Sequence, residues 1–252
     1  MFKKLKNIYN ILYLRILFYL HGKESKDFPV EIKEEEKEII KISDKYSMTG
    51  TIRMWALIQS LKNVIQNKID GDIVECGVWK GGNLILSQKY LDLRNVKKNI
   101  YGFDTFGGMT EPEEVDVDYR SIPASDMHLL HKKKTDKENS WAFCSLADVN
   151  KNLNDTVPTN NINLIEGKVE ETLLNEKNLP NKISILRLDT DWYSSTKIEL
   201  EILYPRLMSR GFLIIDDYGH FKGCKKAVDE YFKDNMPYLH YVDYTCRLII
   251  KP

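Results

Sequence analysis

Residues 71–83 read Gly71-Asp72-Ile73-Val74-Glu75-Cys76-Gly77-Val78-Trp79-Lys80-Gly81-Gly82-Asn83, and this stretch decides the fold. A short apolar run ends in glycines, and the helical run Leu84-Ile85-Leu86-Ser87 to Leu91 follows. Strand, tight turn and helix in that order let a backbone approach a nucleotide closely while helix N-terminal amides point at it. The spacing is G-x-x-x-G-G, from Gly77 to Gly81 and Gly82, not the G-x-G-x-x-G of dinucleotide enzymes, so a pyrophosphate site is the weaker inference. Glu75, just before the first glycine, suits a cationic or amino-acid-bearing ligand better than a phosphate. Taken alone, the glycines need mean no more than a tight turn. They gain meaning from Asn99-Ile100-Tyr101-Gly102-Phe103-Asp104, a second strand ending in an acid. An acid at that strand tip is where α/β nucleotide folds bond ribose hydroxyls, so the two strand ends together point to an adenosine-type ligand.

A third strand, Ile183-Ser184-Ile185-Leu186-Arg187-Leu188, runs into Asp189-Thr190-Asp191. Residues i and i+2 of a strand share a side, so Asp189 and Asp191 share a site if the extended backbone persists to Asp191. Thr196-Lys197-Ile198-Glu199 reads as a capping box with Thr196 at the N-cap, opening a helix that Pro205 disturbs or ends. Gly211-Phe212-Leu213-Ile214-Ile215 is then an uninterrupted apolar strand, as in a parallel sheet covered on both faces, and it stops at Asp216-Asp217-Tyr218-Gly219-His220. In an open α/β sheet these tips share one rim, which places Asp189, Asp191, Asp216 and Asp217 beside Glu75 and Asp104. Clustered carboxylates repel and raise one another's pKa unless a cation neutralises them. Oxygen-only ligation fits Mg²⁺, Ca²⁺ or Mn²⁺ and not zinc. Helix capping would account for the Asp-Asp pair but not for the neighbouring Asp-Thr-Asp.

The 252 residues carry 37 Lys plus Arg against 37 Asp plus Glu, and this zero net charge argues against a nucleic-acid partner. With 42% hydrophobic residues, 8 Pro and 13 Gly the chain is globular, and its length favours one large domain. Cys76, Cys144, Cys224 and Cys246 form no C-x-x-C pair and read as reduced, buried residues of a cytoplasmic protein. Residues 1–30 form an apolar and basic arm, with Ile8 to Leu20 too short to span a bilayer comfortably and no cleavage pattern after it. Two readings stand for the arm: peripheral membrane contact through residues 1–23, or packing on the body or on a second subunit. Self-association, as a homo-oligomer, is expected. Glu31 to Glu38 is a solvated stretch that begins a helix, with Ile39, Ile40 and Ile42 turned inward, and residues 31–252 make up the domain. Within it Met109 to Ser140 is aperiodic, part of a lid over about 107–148. Its Lys132-Lys133-Lys134 run is a solvated loop or an attraction for an anionic carrier.

The blocks Ser47-Met48-Thr49-Gly50, Gly71 to Gly82, Phe103 to Gly108, Leu188 to Thr196, Leu203-Tyr204-Pro205 and Ile214 to Gly219 together resemble the macrocin and mycinamicin sugar O-methyltransferase (TylF-like) family, over about Tyr46 to Tyr231. The resemblance implies a class I methyltransferase (Rossmann-like) fold, with a mostly parallel sheet and helices on both faces. It also implies S-adenosylmethionine as donor and a divalent ion, usually Mg²⁺, beneath a sugar, nucleotide-sugar or glycoconjugate acceptor. Asp189, Asp216 and Asp217 resemble the metal ligands and Asp191 the general base. Ser47, Met48, Glu75, Gly77 and Asp104 resemble donor-binding residues, to which the turn's Gly81 and the adjacent Asp189 are added. Ser47 stands where the family more often has Thr, and the block Glu166 to Leu173 lacks the family's aromatic pair after its glycine.

In that reading an ion-stabilised sugar alkoxide attacks the donor methyl in line, and Asp191 receives the proton, with His220 as second candidate base. Two alternatives are a nicotinamide-dependent sugar oxidoreductase, which shares the glycine turn but does not need the aspartates, and a catalytically silent scaffold of a glycan pathway.

Overall fold

The computed structural model describes residues 28–131 and 139–252. The membrane or packing role expected of residues 1–23, nearly all of the arm, and the Lys132-Lys133-Lys134 run lie outside the described residues.

In chain order come α1 (Glu34–Ser43), α2 (Thr51–Gln66), β1 (Asp72–Cys76), α3 (Gly82–Leu93), β2 (Ile100–Asp104), α4 (Ala124–Leu130), α5 (Leu146–Asn154), β3 (Ile162–Glu166), α6 (Val169–Thr172), β4 (Ile183–Leu188), α7 (Tyr193–Leu203), β5 (Leu207–Ile215), α8 (Lys222–Phe232), β6 (His240–Tyr241) and β7 (Arg247–Ile250). The strands form one sheet in the order β3-β2-β1-β4-β5-β7-β6. β1 to β5 run parallel, and β7 enters antiparallel between β5 and β6. From β1 the chain builds outward to β2 and β3, then returns to the other side of β1 with β4. That reversal opens a crevice at the carboxyl ends of β1 and β4.

Strand alternation divides the core in two. Ile73, Ile185, Phe212 and Ile214 pack into one layer with Met54, Leu57 and Ile58 of α2 and Leu84 and Ile85 of α3. Val74, Cys76, Leu186, Leu188, Leu213 and Ile215 pack into the other with Leu200 and Leu203 of α7 and Cys224 and Val228 of α8. α3 is buried almost all round, which explains why its apolar residues show no single stripe. All four cysteines are buried and free. Among the described residues no helix is long and apolar enough to cross a membrane.

Several local expectations change. The capping box at Thr196 and Glu199 is not formed: α7 begins at Tyr193, and both residues are buried within it. Its first turn is capped from a distance, where Asp116 Oδ1 accepts the Tyr193 N–H at 2.8 Å, while Glu199 accepts from Thr190 Oγ1 at 2.9 Å. Glu36, within the stretch expected to be solvated, is buried and accepts the Lys33 N–H at 3.1 Å, closing the first turn of α1. β5 starts four residues before Gly211. The segment expected as a lid contains α4; a bridge from Val117 to Pro123 folds it back on itself, and one from Asp118 to Phe221 joins it to the body.

Candidate active site

At the carboxyl ends of β1, β2, β4 and β5 lies a cavity of about 660 Å³. Ser47, Met48, Gly77, Asp104, Asp189, Asp191, Asp216, Asp217 and His220 all line it. Glu75 and Gly81 stand behind this wall.

The glycine turn is built tightly. Gly77 has φ +87°, and a Cβ there would lie 2.0 Å from the Asp189 carbonyl oxygen, so only glycine lets the ends of β1 and β4 approach. Gly81, at φ +91°, is the N-cap of α3. Asp104 holds this turn from β2: Oδ2 accepts the N–H groups of Val78 at 2.7 Å and Trp79 at 2.9 Å, and Oδ1 that of Phe106 at 2.7 Å. Burial raises its carboxyl above the usual range, against the pull of these amides. On the other side, Ser47 Oγ accepts the Thr49 N–H at 2.9 Å and shapes the loop between α1 and α2.

Glu75 is buried. Its Oε1 accepts from Asn83 Nδ2 at 2.9 Å and Arg187 Nη1 at 2.8 Å, while Oε2 has no partner. Burial pushes its carboxyl up to about 7, and Asp189 adds to this against Arg187. Arg187 also reaches Asp189 Oδ2 and Asp216 Oδ1, each at 2.6 Å, and Thr49 Oγ1 at 3.1 Å. The second oxygen of Asp216 is taken by Arg53 of α2, which also pairs with Asp243 at 3.0 Å. Burial alone would raise Asp216, but the two guanidiniums hold its carboxyl below the usual range.

Asp189, Asp191 and Asp217 come together, each offering a carboxylate oxygen within 4.8 Å of the others. The route differs from the one expected. Extended backbone stops at Leu188, and Asp191 joins the cluster through a left-handed turn with φ +69°. Burial, then repulsion from Asp189 and Asp216, pushes Asp191 up to about 8, although Asp217 bonds it. Asp217 is raised well above its ordinary value by burial and by Asp191, and its Oδ2 is a buried acceptor without a partner. Burial raises Asp189 to about 6 against Arg187. Asp216, expected among the metal ligands, is engaged by two arginines beside this cluster, and Asp191, expected as base, lies within it. A close group of raised carboxyls with an orphaned oxygen is a donor set that fits a hard divalent cation.

His220 lies outside this group. Its Nδ1 is 3.3 Å from the Tyr244 hydroxyl and its ring packs edge-on to Tyr119 and Phe221, and burial lowers its pKa. The reading from sequence gave no role to Arg53, Arg187, Asn83 or Tyr244. For Arg187 the signal was present, a charge in an otherwise apolar strand that must be buried on both faces. Arg53 had none, since one arginine on an amphipathic helix reads as surface.

A sheet of this order, with a glycine turn at its reversal point and acids at neighbouring strand tips, defines a class I methyltransferase. The chain belongs to the macrocin O-methyltransferase (TylF) family, whose model matches residues 20–248, and it is an O-methyltransferase. It is similar to a demethyldecarbamoylnovobiocin O-methyltransferase of Streptomyces niveus, 31% identical over 192 residues that cover 75% of this chain and 68% of the relative. An 8-demethyl-8-(2,3-dimethoxy-alpha-L-rhamnosyl)-tetracenomycin-C 4'-O-methyltransferase of Streptomyces olivaceus is 29% identical over 189 residues, 74% of this chain and 67% of the relative. The solved structure of the O-methyltransferase NovP matches with a TM-score of 0.72 at 27% identity, over 95% of this chain and 98% of that one. Family membership selects methyl transfer over the nicotinamide-dependent alternative.

Proposed function

We propose that this chain transfers the methyl group of S-adenosylmethionine to a hydroxyl of a sugar or glycoconjugate, with Mg²⁺ or a similar divalent cation bound beside it. The observation that carries this reading is the meeting, in one cavity, of the glycine turn with Glu75 behind it and the Asp189, Asp191 and Asp217 cluster. The acceptor class follows the relative from Streptomyces olivaceus, whose name gives a rhamnosyl compound as its substrate.

Glu75 attracts the donor's amino group, and the ends of β1 and α3 hold its adenosine part with Asp104 at the ribose; a carboxylate that accepts amides keeps lone pairs for hydroxyls. Ser47, Met48 and Gly77 shape the walls for the donor, and Gly81 caps α3 behind them. Asp189 and Asp217, with Asp216 beside them, would hold the cation. When bound, the cation supplies Lewis-acid stabilisation to the developing alkoxide. In its ionised form Asp191 accepts the acceptor's proton, a role suited to a carboxyl that burial has made more basic than usual. His220, across from the cluster, is the second base candidate. The pinned lid covers the acceptor end with Met109, Met127 and Trp141, excluding water from the transfer.

Calorimetry with S-adenosylhomocysteine and with Mg²⁺, on wild type and on the Asp216→Ala, Asp217→Ala double variant, tests this. Donor-product binding by both proteins with Mg²⁺ heat lost in the variant is expected. Labelled methyl should then pass to members of a rhamnoside panel only with wild type. No binding of S-adenosylhomocysteine by wild type would overturn the reading.

A further inference from the structure

Glu75 and Arg187 are direct neighbours across the parallel β1–β4 pair, on the side that also carries Ile73 and Ile185. The Arg187 side chain is 3% exposed, so water screens its charge little. Its Nη1 is shared between Glu75 Oε1 and Asp189 Oδ2, and its Nη2 between Thr49 Oγ1 and Asp216 Oδ1. The hydrogens of both terminal nitrogens are thereby fully engaged. One planar cation thus serves the acid behind the donor's turn and two acids at the edge of the carboxylate cluster.

We propose that Arg187 couples the donor and cation sites negatively, so that a positive group bound at one weakens binding at the other. This rests on the methyl-donor reading above. A donor ammonium drawn to Glu75 takes over part of the charge that Nη1 balances there. The guanidinium then settles more strongly on Asp189 and Asp216, and competes with a cation for their oxygens. The converse follows by necessity, because coupling between two sites is reciprocal. Lysine could not replace this residue, since a point charge with a single nitrogen cannot span four acceptors in fixed directions.

The test is calorimetry on the full chain, measuring S-adenosylhomocysteine affinity with and without Mg²⁺, and Mg²⁺ affinity with and without S-adenosylhomocysteine. Wild type should show the same loss in both directions, about fivefold. In Arg187→Lys the factor should fall below about twofold while both ligands still bind. Glu75→Gln leaves Arg187 wholly to the aspartates and should weaken Mg²⁺ about fivefold with no donor present, although Glu75 is outside the cluster. With Mn²⁺ as probe, adding S-adenosylhomocysteine should change the bound-ion electron paramagnetic resonance spectrum in wild type and leave it unchanged in Arg187→Lys. Independent binding in wild type overturns the proposal. So does an equal factor in Arg187→Lys, which would assign it to direct repulsion between the ligands, or an unchanged Mg²⁺ affinity in Glu75→Gln. If Arg187→Lys fails to fold by circular dichroism, wild type and Glu75→Gln decide. Failure of S-adenosylhomocysteine to bind wild type would instead refute the methyl-donor reading itself.

Discussion

Gly77 is the residue on which the proposed donor site turns, because its missing Cβ is what lets the Asp189 carbonyl approach. Gly77→Ala should cost on the order of 2 kcal/mol or more in urea unfolding, from the left-handed φ and the clash together, and should abolish S-adenosylhomocysteine binding. Glu75 predicts a pH dependence. Its carboxyl is held up at about 7, and only the ionised form attracts an ammonium. Donor-product affinity should therefore rise between about pH 6 and about pH 8 and then level off, and Glu75→Gln should flatten the profile. A flat wild-type profile would show that Glu75 does not meet the amino group. At this scale the acids were legible because strand tips are readable and carboxylates at tips imply a ligand. The arginines that neutralise them were not, because a long side chain reaches across elements that periodicity alone cannot place in space.

Among the elements, the segment proposed as a lid is tied to the start of α7 by Asp116 and by Glu113, the latter accepting from Ser194 Oγ. Asp116 is buried, and besides the Tyr193 N–H it accepts the Glu113 N–H at 2.8 Å. Asp116→Ala should remove a cap worth about 1–2 kcal/mol. It should raise the acceptor KM several-fold while leaving S-adenosylhomocysteine affinity unchanged, since the donor turn lies on β1 and α3. Equal losses at both sites in steady-state and calorimetric measurements would show that the lid serves the donor instead. The misplaced start of α7 has the same origin. Thr196 and Glu199 have capping-box spacing, yet the true cap comes from a residue far away in sequence, so local chemistry pointed to the wrong turn. β1 was readable from a short apolar run leading into the glycine turn, β4 from a mostly apolar run ending in acids, and the end of β5 from an uninterrupted one, whereas β3, with partly exposed residues, and the short β6 carry no such signature.

For the molecule as a whole, the carboxylate cluster predicts a response to pH and to cations. Asp191, at about 8, and Asp217, higher than usual, keep protons in the folded chain that the unfolded chain releases at lower pH. Between about pH 4 and about pH 8 the folded state therefore binds more protons through these groups, and their contribution to stability falls as pH rises. Asp216, held low, acts in the opposite direction. A cation that neutralises the cluster must displace those protons, so the gain in Tm on replacing EDTA with Mg²⁺ should be larger at about pH 8 than at about pH 6. An equal gain at both would place the cation elsewhere. The parallel order of the central strands followed from the sequence, but the late strand β7 did not. It pairs with β5 inside the sheet, and the turn before it closes the site: Thr245 Oγ1 donates to the Asp216 carbonyl at 2.7 Å, and Asp243 pairs with Arg53. On the ribosome, the chain thus makes its glycine turn and the acids of the cluster before it makes the segment that braces them. A nascent chain stalled before residue 240 would carry every proposed catalytic group without the brace that β7 and the turn before it supply, so methyl transfer is expected to begin only once that segment has been made.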